Sequence, residues 1–299
     1  MGHKHYTMTK AIFFCLLLGT LLGASYAFKE HFQIQEISTL AEVQNKKPFE
    51  VKTSVMVLSI NDFLKWNSND FFNRPDELSL CKAIASRDMA KLESLINSGA
   101  DVNATGKFGI NALYWAMIEG NMNAFEFLLK HGADPDRTLT EDIVMKPGRY
   151  NVFLSGDSVF FTALRSMKPE YATAALPYSR NVHQTDRGGY NMVQIFLYHG
   201  YGFGGKKHLP VFIAAGIDLN GRNLNPCRVA LMFNRADLCL QMLKGGADPA
   251  VVSEEDQLDL ADDVEHSLWC EKPGEHDTRL DPLISWFNEN YREIRLHKP

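Results

Sequence analysis

The stretch Leu95–Ala104 reads L-I-N-S-G-A-D-V-N-A, and Leu128–Asp136 repeats its pattern as L-L-K-H-G-A-D-P-D. The two glycines, Gly99 and Gly132, lie 33 residues apart. In each copy an apolar pair ends a helix, and the glycine supplies the left-handed conformation that helix C-termini favour. The aspartate two residues later favours a tight turn, because its side chain can bond to the following backbone. The pattern predicts a repeating helical array.

Three kinds of position recur along the chain at spacings of nine residues: an alanine in a first helix, an apolar residue in a second helix, and a turn residue. They are Ala83, Leu92 and Asp101 in repeat 1; Ala116, Phe125 and Asp134 in repeat 2; Ala163, Ala172 and Asn181 in repeat 3; and Ala230, Cys239 and Asp248 in repeat 5. In repeat 4 the series Phe196, Leu209 and Asp218 is spaced 13 and 9. A sixth repeat is predicted with helices at 257–266 and 280–294.

Polar residues precede the first helices. Asn111, Ser158, Asn191 and Asn225 each lie five residues before the alanine position or its equivalent. Side chains of these types accept hydrogen bonds from the free amides at a helix N-terminus. We therefore predict that all four residues are helix caps.

The period and the recurring positions resemble those of the ankyrin-repeat family, whose repeat is about 33 residues long. The resemblance implies an all-α fold: a solenoid of about six helix-turn-helix units with short β-hairpin fingers and an N-terminal helical cap. We assign residues 28–74 to the cap, with a helix from Val51 to Trp66 covering the first repeat, and residues 75–297 to the array. The family resemblance further implies a non-enzymatic, cofactor-free scaffold that binds another protein.

The N-terminus has the pattern of a secretory signal peptide. Lys4 and Lys10 precede the apolar run 11–23, and small residues at Ser25 and Ala27 favour cleavage after Ala27. We therefore predict a signal peptide at 1–27 and a periplasmic or secreted protein. An uncleaved inner-membrane anchor is the alternative, although the run is shorter than the roughly 20 residues of a typical span.

Three insertions interrupt the array at 138–156, 199–208 and 266–278. Insertions in repeat proteins map to loops and often to the binding face. The register places further candidates on the finger and first helix of repeats 2 and 3, where we expect exposed side chains. The predicted protein-binding residues are Lys107, Phe108, Ile110, Tyr114, Trp115, Arg149, Tyr150 and Phe161. Tyr114 and Phe161 fill the family's histidine position, which leaves partial burial as an alternative for these two.

Two short fragments suggest an esterase. Gly156-Asp157-Ser158 resembles the nucleophile block of GDS-type esterases, and Asp263 with His266 resembles their Asp-x-x-His pair. A hydrolase needs the serine and histidine in contact. The register places Ser158 in repeat 3 and the pair in repeat 6, and a solenoid repeat contacts only its neighbours. We therefore predict no catalytic site.

The net charge and the spacing of the cysteines and histidines argue against a nucleic-acid-binding site and a metal site. The net charge of −5 gives no concentrated positive charge for nucleic acid. The cysteines form no Cys-x-x-Cys pair and the histidines no metal-binding spacing, so no metal site is predicted. Cys227 and Cys239 fall on core positions and are interpreted as buried free thiols. A bridge between Cys239 and Cys270 is the alternative, because export favours disulfides.

The domain organisation, a leader followed by a mid-sized array, resembles exported bacterial ankyrin proteins. Some of these are immunity proteins that neutralise a toxin, including phospholipase effectors. This resemblance implies a toxin or lipase as the partner, no small-molecule substrate, and membrane contact only if the leader is uncleaved. An effector that binds a host protein and a structural envelope protein are the alternatives.

Overall fold

A computed structural model describes residues 60–143, 153–200, 205–221, 225–252, 258–269 and 277–296. These residues all belong to one compact unit, 57–299. The predicted signal peptide, Arg149, Tyr150 and Cys270 lie outside the described residues. Within the described ranges, no helix combines the length and the apolar character needed to cross a membrane.

The described secondary structure is helical, with single β-bridges in place of strands. The helices are α1 Ile60–Leu64, α2 Ser68–Phe71, α3 Pro75–Ala85, α4 Met89–Asn97, α5 Ala112–Ile118, α6 Met122–Lys130, α7 Val159–Arg165, α8 Pro169–Ala175, α9 Met192–Gly200, α10 Gly205–Ala214, α11 Pro226–Met232, α12 Ala236–Lys244, α13 Leu260–Trp269 and α14 Asp281–Asn290. Short 3₁₀ turns occur at Lys107–Gly109 and Leu176–Tyr178. The all-α prediction is confirmed.

Six helix pairs, α3/α4 to α13/α14, stack in two rows. The first helices of the pairs form row A, and each of α5, α7, α9, α11 and α13 packs on the first helix of the preceding repeat. The second helices form row B, and each of α8, α10, α12 and α14 packs on the second helix of the preceding repeat. Leu92 and Phe125 from row B are fully buried between the rows. Apolar side chains on the facing sides of both rows form one continuous core. The predicted solenoid of about six units is confirmed.

The turn chemistry follows the sequence prediction. Gly99 and Gly132 have φ of +94° and +89°, the left-handed region that only glycine occupies without strain. Asn111, Asn191 and Asn225 accept hydrogen bonds from the amides of Tyr114, Gln194 and Cys227. Their capping role is confirmed.

The capping prediction is wrong for Ser158. Its hydroxyl is buried and has no hydrogen-bond partner within the described part of the chain. The backbone carbonyl of Ser158 nevertheless begins α7, since it accepts from the amide of Thr162 at 3.1 Å. The helix therefore starts at the predicted place without a side-chain cap.

The fingers between repeats are hairpins held by single bridges, Thr105 to Asn111, Thr138 to Ser158 and Thr185 to Asn191. We call the described residues on either side of the second bridge, 138–143 and 153–158, the long finger. Its two ends pair further, because the amide of Ile143 donates to the carbonyl of Phe153 at 3.0 Å. Adjacent fingers approach closely: a Cβ on Gly109, which has φ +81°, would lie 2.9 Å from the carbonyl oxygen of Thr138.

The N-terminal cap differs from its prediction. A continuous helix over 51–66 was expected on the first repeat, and 51–59 lies outside the described residues. Helix α1 ends at Leu64, Lys65 takes a positive φ of 54°, and α2 follows separately. Helix α2 packs on α3 of repeat 1, whereas α1 packs on α5 of repeat 2. The described part of the cap therefore contacts row A at both repeat 1 and repeat 2.

Helix boundaries in repeats 4 and 6 also differ from prediction. The insertion at 199–208 was expected to form a loop, but α9 continues to Gly200 and α10 begins at Gly205. The wide spacing of Phe196 and Leu209 thus reflects longer helices. In repeat 6, α13 extends three residues beyond His266, and α14 ends at Asn290 instead of Ile294.

Asn121 links repeats 1 and 2, and its replacement is expected to be costly. Its side chain accepts from the amide of Ala124 at 3.1 Å and donates to the carbonyl of Ile84 at 2.8 Å. Because Asn121 is buried, Asn121→Ala loses a cap and the side-chain hydrogen bond that joins α6 to the end of α3. We expect a loss of about 2 kcal/mol in urea unfolding. The exposed Asn123→Ala on the same helix is the control, and equal losses would contradict this role.

Candidate protein-binding surface

The face of row A turned away from row B is the surface on which exposed side chains were expected. Its positions follow from the register, because residues four, seven and eight after each cap share one side of the helix. In repeat 2 these residues are Trp115, Ile118 and Glu119. We call this side the A face.

In repeat 2 the A face is covered by the chain's own N-terminal residues. The side chain of Asn61 donates to Glu119 Oε1 at 2.9 Å, and α1 packs along α5. The rings of Phe71 and Phe72 lie 5.8 and 5.9 Å from the ring of Trp115. As a result, all seven residues of α5 are buried.

Trp66 joins this cover to the long finger. Its indole ring lies 4.8 Å from the ring of Phe71 and 5.1 Å from the ring of Phe153, measured between centroids. Phe153 is fully buried, and Trp66 is half-buried. A layer of aromatic side chains therefore lies over row A at repeats 2 and 3.

The long finger also buries Tyr114. The phenol donates to the backbone carbonyls of Arg137 and Asp157 at 3.1 and 2.7 Å, and burial raises the Tyr114 pKa well above its usual value. Tyr114 therefore attaches α5 to Asp157 of the long finger and to Arg137, the residue that precedes the finger. Its role is to hold the finger in place, and its side chain is 1% exposed.

A buried ion cluster occupies the A face of repeat 3. Arg165 on α7 bonds to Asp157 Oδ2 through Nε at 2.8 Å and to Asp186 Oδ2 through Nη2 at 2.5 Å. All three side chains are at most 6% exposed. Asp157 comes from the long finger and Asp186 from the next finger, so one guanidinium joins two fingers to α7.

His199 on α9 lies close enough to this cluster for the charges of Arg165 and Asp186 to act on it, and burial shifts the pKa of both Asp157 and His199. It raises the pKa of Asp157 to about 6, against the opposing effect of Arg165. Burial lowers the pKa of His199 to about 4, and the Arg165 charge adds to this shift. At neutral pH the cluster thus contains a charged Arg165 and an uncharged His199. Nothing in the sequence patterns pointed to this cluster; the available signal was a lone arginine in the apolar helix α7.

Repeats 4 and 5 present a more exposed A face. Tyr198 stacks edge-on between Tyr190 and Phe233, with ring centroids 6.1 and 6.2 Å apart. These three rings are half-buried, and the adjacent Met232 is 47% exposed. We call these four residues the open patch. Aromatic residues and methionine are enriched at protein interfaces, and methionine adapts to varied partners.

Comparison with known proteins bears on what such a surface is for. Residues 80–129 match the family described as ankyrin repeats (many copies). Residues 80–129 therefore have the sequence of ankyrin repeats. Such repeats generally mediate protein–protein binding, which supports a non-enzymatic binding scaffold.

Three curated proteins match the chain over stretches of 45 to 63 residues. Potassium channel AKT1 of Oryza sativa subsp. indica is 40% identical over 60 residues, 20% of this chain and 6% of the channel. Human neurogenic locus notch homolog protein 1 is 53% identical over 45 residues, 15% of this chain and 2% of that protein. Mouse 2-5A-dependent ribonuclease is 38% identical over 63 residues, 21% of this chain and 9% of the enzyme. The chain thus spans less than a tenth of the length of these relatives.

Among solved structures, the human ASB11 ankyrin repeat domain resembles the array with a TM-score of 0.41 and 18% identity, covering 60% of this chain and 72% of that domain.

The predicted binding residues of the ankyrin array divide into three groups. Ile110, Tyr114, Trp115 and Phe161 are at most 1% exposed. The predicted exposure is wrong for Ile110 and Trp115, and Tyr114 and Phe161 follow the alternative of burial, to a greater extent than expected. The N-terminal residues and the long finger account for the burial of Tyr114 and Trp115. Lys107 is exposed and Phe108 is half-buried with a φ of +61°, so both remain candidates. Arg149 and Tyr150 lie outside the described residues.

The esterase fragments are not brought together. Ser158 is fully buried at the start of α7, whereas Asp263 and His266 lie on α13. In row A, α9 and α11 stand between these two helices. Asp263 instead pairs with Arg228 at 2.6 Å, and His266 is exposed. Ser158 therefore lacks both a base and access for a substrate.

The three cysteines within the described residues pack in the core as free thiols. Cys81, Cys227 and Cys239 are all buried and unbridged, which confirms the interpretation of Cys227 and Cys239. Because Cys239 is free, the alternative bridge to Cys270 is not formed. Burial raises the pKa of Cys239 well above its usual value, so its thiol stays protonated.

Proposed function

We propose that this chain is an exported ankyrin scaffold that binds and neutralises another protein, a secreted toxin or phospholipase effector. The open patch on repeats 4 and 5 is the observation that carries the binding part of this proposal. Its aromatic side chains lie on a rigid helical stack, so binding orders few groups and loses little entropy. Export rests on the signal-like sequence at 1–27, and neutralisation rests on the resemblance to exported immunity proteins.

The first test is capture of the partner. Residues 28–299 would be used to isolate bound proteins from the native organism, and mass spectrometry would identify them. A single stoichiometric toxin or lipase, inhibited in its own assay by this chain, would support the proposal. A host protein would favour the effector alternative, and recovery of no stoichiometric partner would contradict binding and favour a structural role.

The open patch can be tested on the captured partner. Met232→Arg places a charge at the most exposed apolar position of the patch, and the partner's contact would have to desolvate it. We expect the dissociation constant to rise at least about tenfold. The matched control is Val211→Arg, because Val211 is 41% exposed but lies on α10 of row B. If the partner binds the two variants with equal affinity, the open patch is not part of the interface.

The site of export can be tested separately. Fractionation of cells producing the full chain should place a form beginning at Phe28 in the periplasm or medium. An intact N-terminus in the inner-membrane fraction would favour the anchor alternative. N-terminal sequencing of the recovered protein distinguishes the two.

A further inference from the structure

Residues 60–66, which we call the strap, lie on the A face where a partner would otherwise dock. The strap contains the single turn and a half of α1, followed by Lys65 in the left-handed region and Trp66. Its contacts on the array include α5 and Phe153. The A face of repeat 2 is therefore covered by a segment of the same chain.

The strap is held less firmly than the residues that follow it. Ile60, Asn61, Leu64 and Trp66 are all partly exposed, and a five-residue helix has little stability of its own. Phe71 and Phe72, by contrast, are 6% and 2% exposed. The strap can therefore leave the array while these two phenylalanines stay anchored, with the exposed Asn67 between the two parts.

Asn61 is the main polar attachment of the strap. Its side chain accepts from the amide of Trp66 at 2.7 Å and donates to the Trp66 carbonyl at 3.0 Å. The side-chain Nδ2 of Asn61 also donates to Glu119 Oε1 at 2.9 Å. One side chain thus shapes the strap and attaches it to the A face of repeat 2.

We propose that the strap is an internal occupant of a protein-binding face, and that a segment of the partner protein replaces it. The proposal rests on the protein-binding function proposed above. The strap defines the chemistry of that segment: an aromatic side chain to take the place of Trp66 beside Phe71 and Phe153, and a hydrogen-bond donor for Glu119. Partner binding then extends from the open patch to repeat 2.

Hydrogen exchange on the full chain tests the first part without a partner. If the strap opens locally, its amides at 64–66 should exchange at least about a hundredfold faster than those of α5, because local opening bypasses global unfolding. Asn61→Ala should accelerate strap exchange a further tenfold or so and leave α5 unchanged. Asn73→Ala, an exposed asparagine beyond Phe72, is the matched control and should change neither.

Two results would overturn the proposal. Strap amides that exchange as slowly as those of α5 would make the strap a permanent part of the core. If the captured partner binds the wild type, Asn61→Ala and Asn73→Ala with equal affinity, the strap does not compete with the partner for the A face. We expect Asn61→Ala alone to bind several-fold more tightly, since an opened face removes the conformational cost. The exchange result is independent of whether a partner is found, so failure of the strap is distinguishable from failure of the binding function.

Discussion

Replacing Arg165 with methionine is expected to lower the free energy of unfolding by about 3 to 5 kcal/mol. The substitution leaves two carboxylates, Asp157 and Asp186, buried without their cation. A buried ion pair adds little net stability, but removal of one partner strands the other charge away from water. Urea unfolding followed by circular dichroism measures the loss.

Arg187→Met is the matched control for this experiment. Arg187 pairs with Asp142 at 3.0 Å, but its side chain is 56% exposed and that of Asp142 is 37% exposed. Exposed pairs contribute less than about 1 kcal/mol. The triple variant R165M/D157N/D186N should regain much of the loss, because no buried charge remains. Equal effects of Arg165→Met and Arg187→Met would show that the cluster is not electrostatically critical.

The second large effect is a pair of opposed pH dependences in the same cluster. Burial raises the pKa of Asp157 to about 6, so its contribution to stability is full below its ordinary value of 3.8 and is lost as the pH rises through 6. Burial lowers the pKa of His199 from 6.5 to about 4, so its contribution is present above 6.5 and is lost as the pH falls toward 4. Arg165 and Asp186 face both groups, and Arg187 also faces Asp157.

In the wild type, the contributions of Asp157 and His199 to stability change in opposite directions with pH and offset each other. A variant that removes one of the two groups should therefore show the pH dependence of the other. Relative to wild type, His199→Gln should gain about 3 kcal/mol between pH 7 and pH 4, because the falling histidine contribution is removed. Asp157→Asn should lose about as much over the same range. Urea unfolding at several pH values measures both differences. The exposed His183→Gln is the control, and parallel curves for all four proteins would contradict these pKa shifts.

The sequence predicted the parts of the fold that repeat. Glycine at Gly99 and Gly132 and asparagine at Asn111 are local requirements of a turn or a cap, so the residue type alone identifies them. Spacing then placed α5 to α8 because their apolar positions recur at a fixed period. Repeat 4 was harder to predict, since its longer α9 and α10 keep the helical chemistry but break the period.

The binding surface was less predictable because its exposure depends on non-repeating segments. Register correctly identified Trp115 as an A-face residue, but the sequence carried no signal that Phe71 and Phe72 would cover it. Tyr114 is buried where it bonds to the backbone carbonyls of Arg137 and Asp157. Every residue has a backbone carbonyl, so the sequence carries no signal for this contact. The open patch was missed because Tyr198 and Phe233 meet across two repeats.

The complete burial of α5 and α7 has a consequence for how this array can evolve. Most repeat proteins gain and lose units readily, because each unit meets only its two neighbours and solvent. Repeats 2 and 3 have a third neighbour in the strap and the long finger, so their helices are fitted to partners that a duplicated copy would lack. A duplicated copy of either repeat would leave the A face of its first helix uncovered, so we expect such a change to cost more stability here than in repeats 4 and 5.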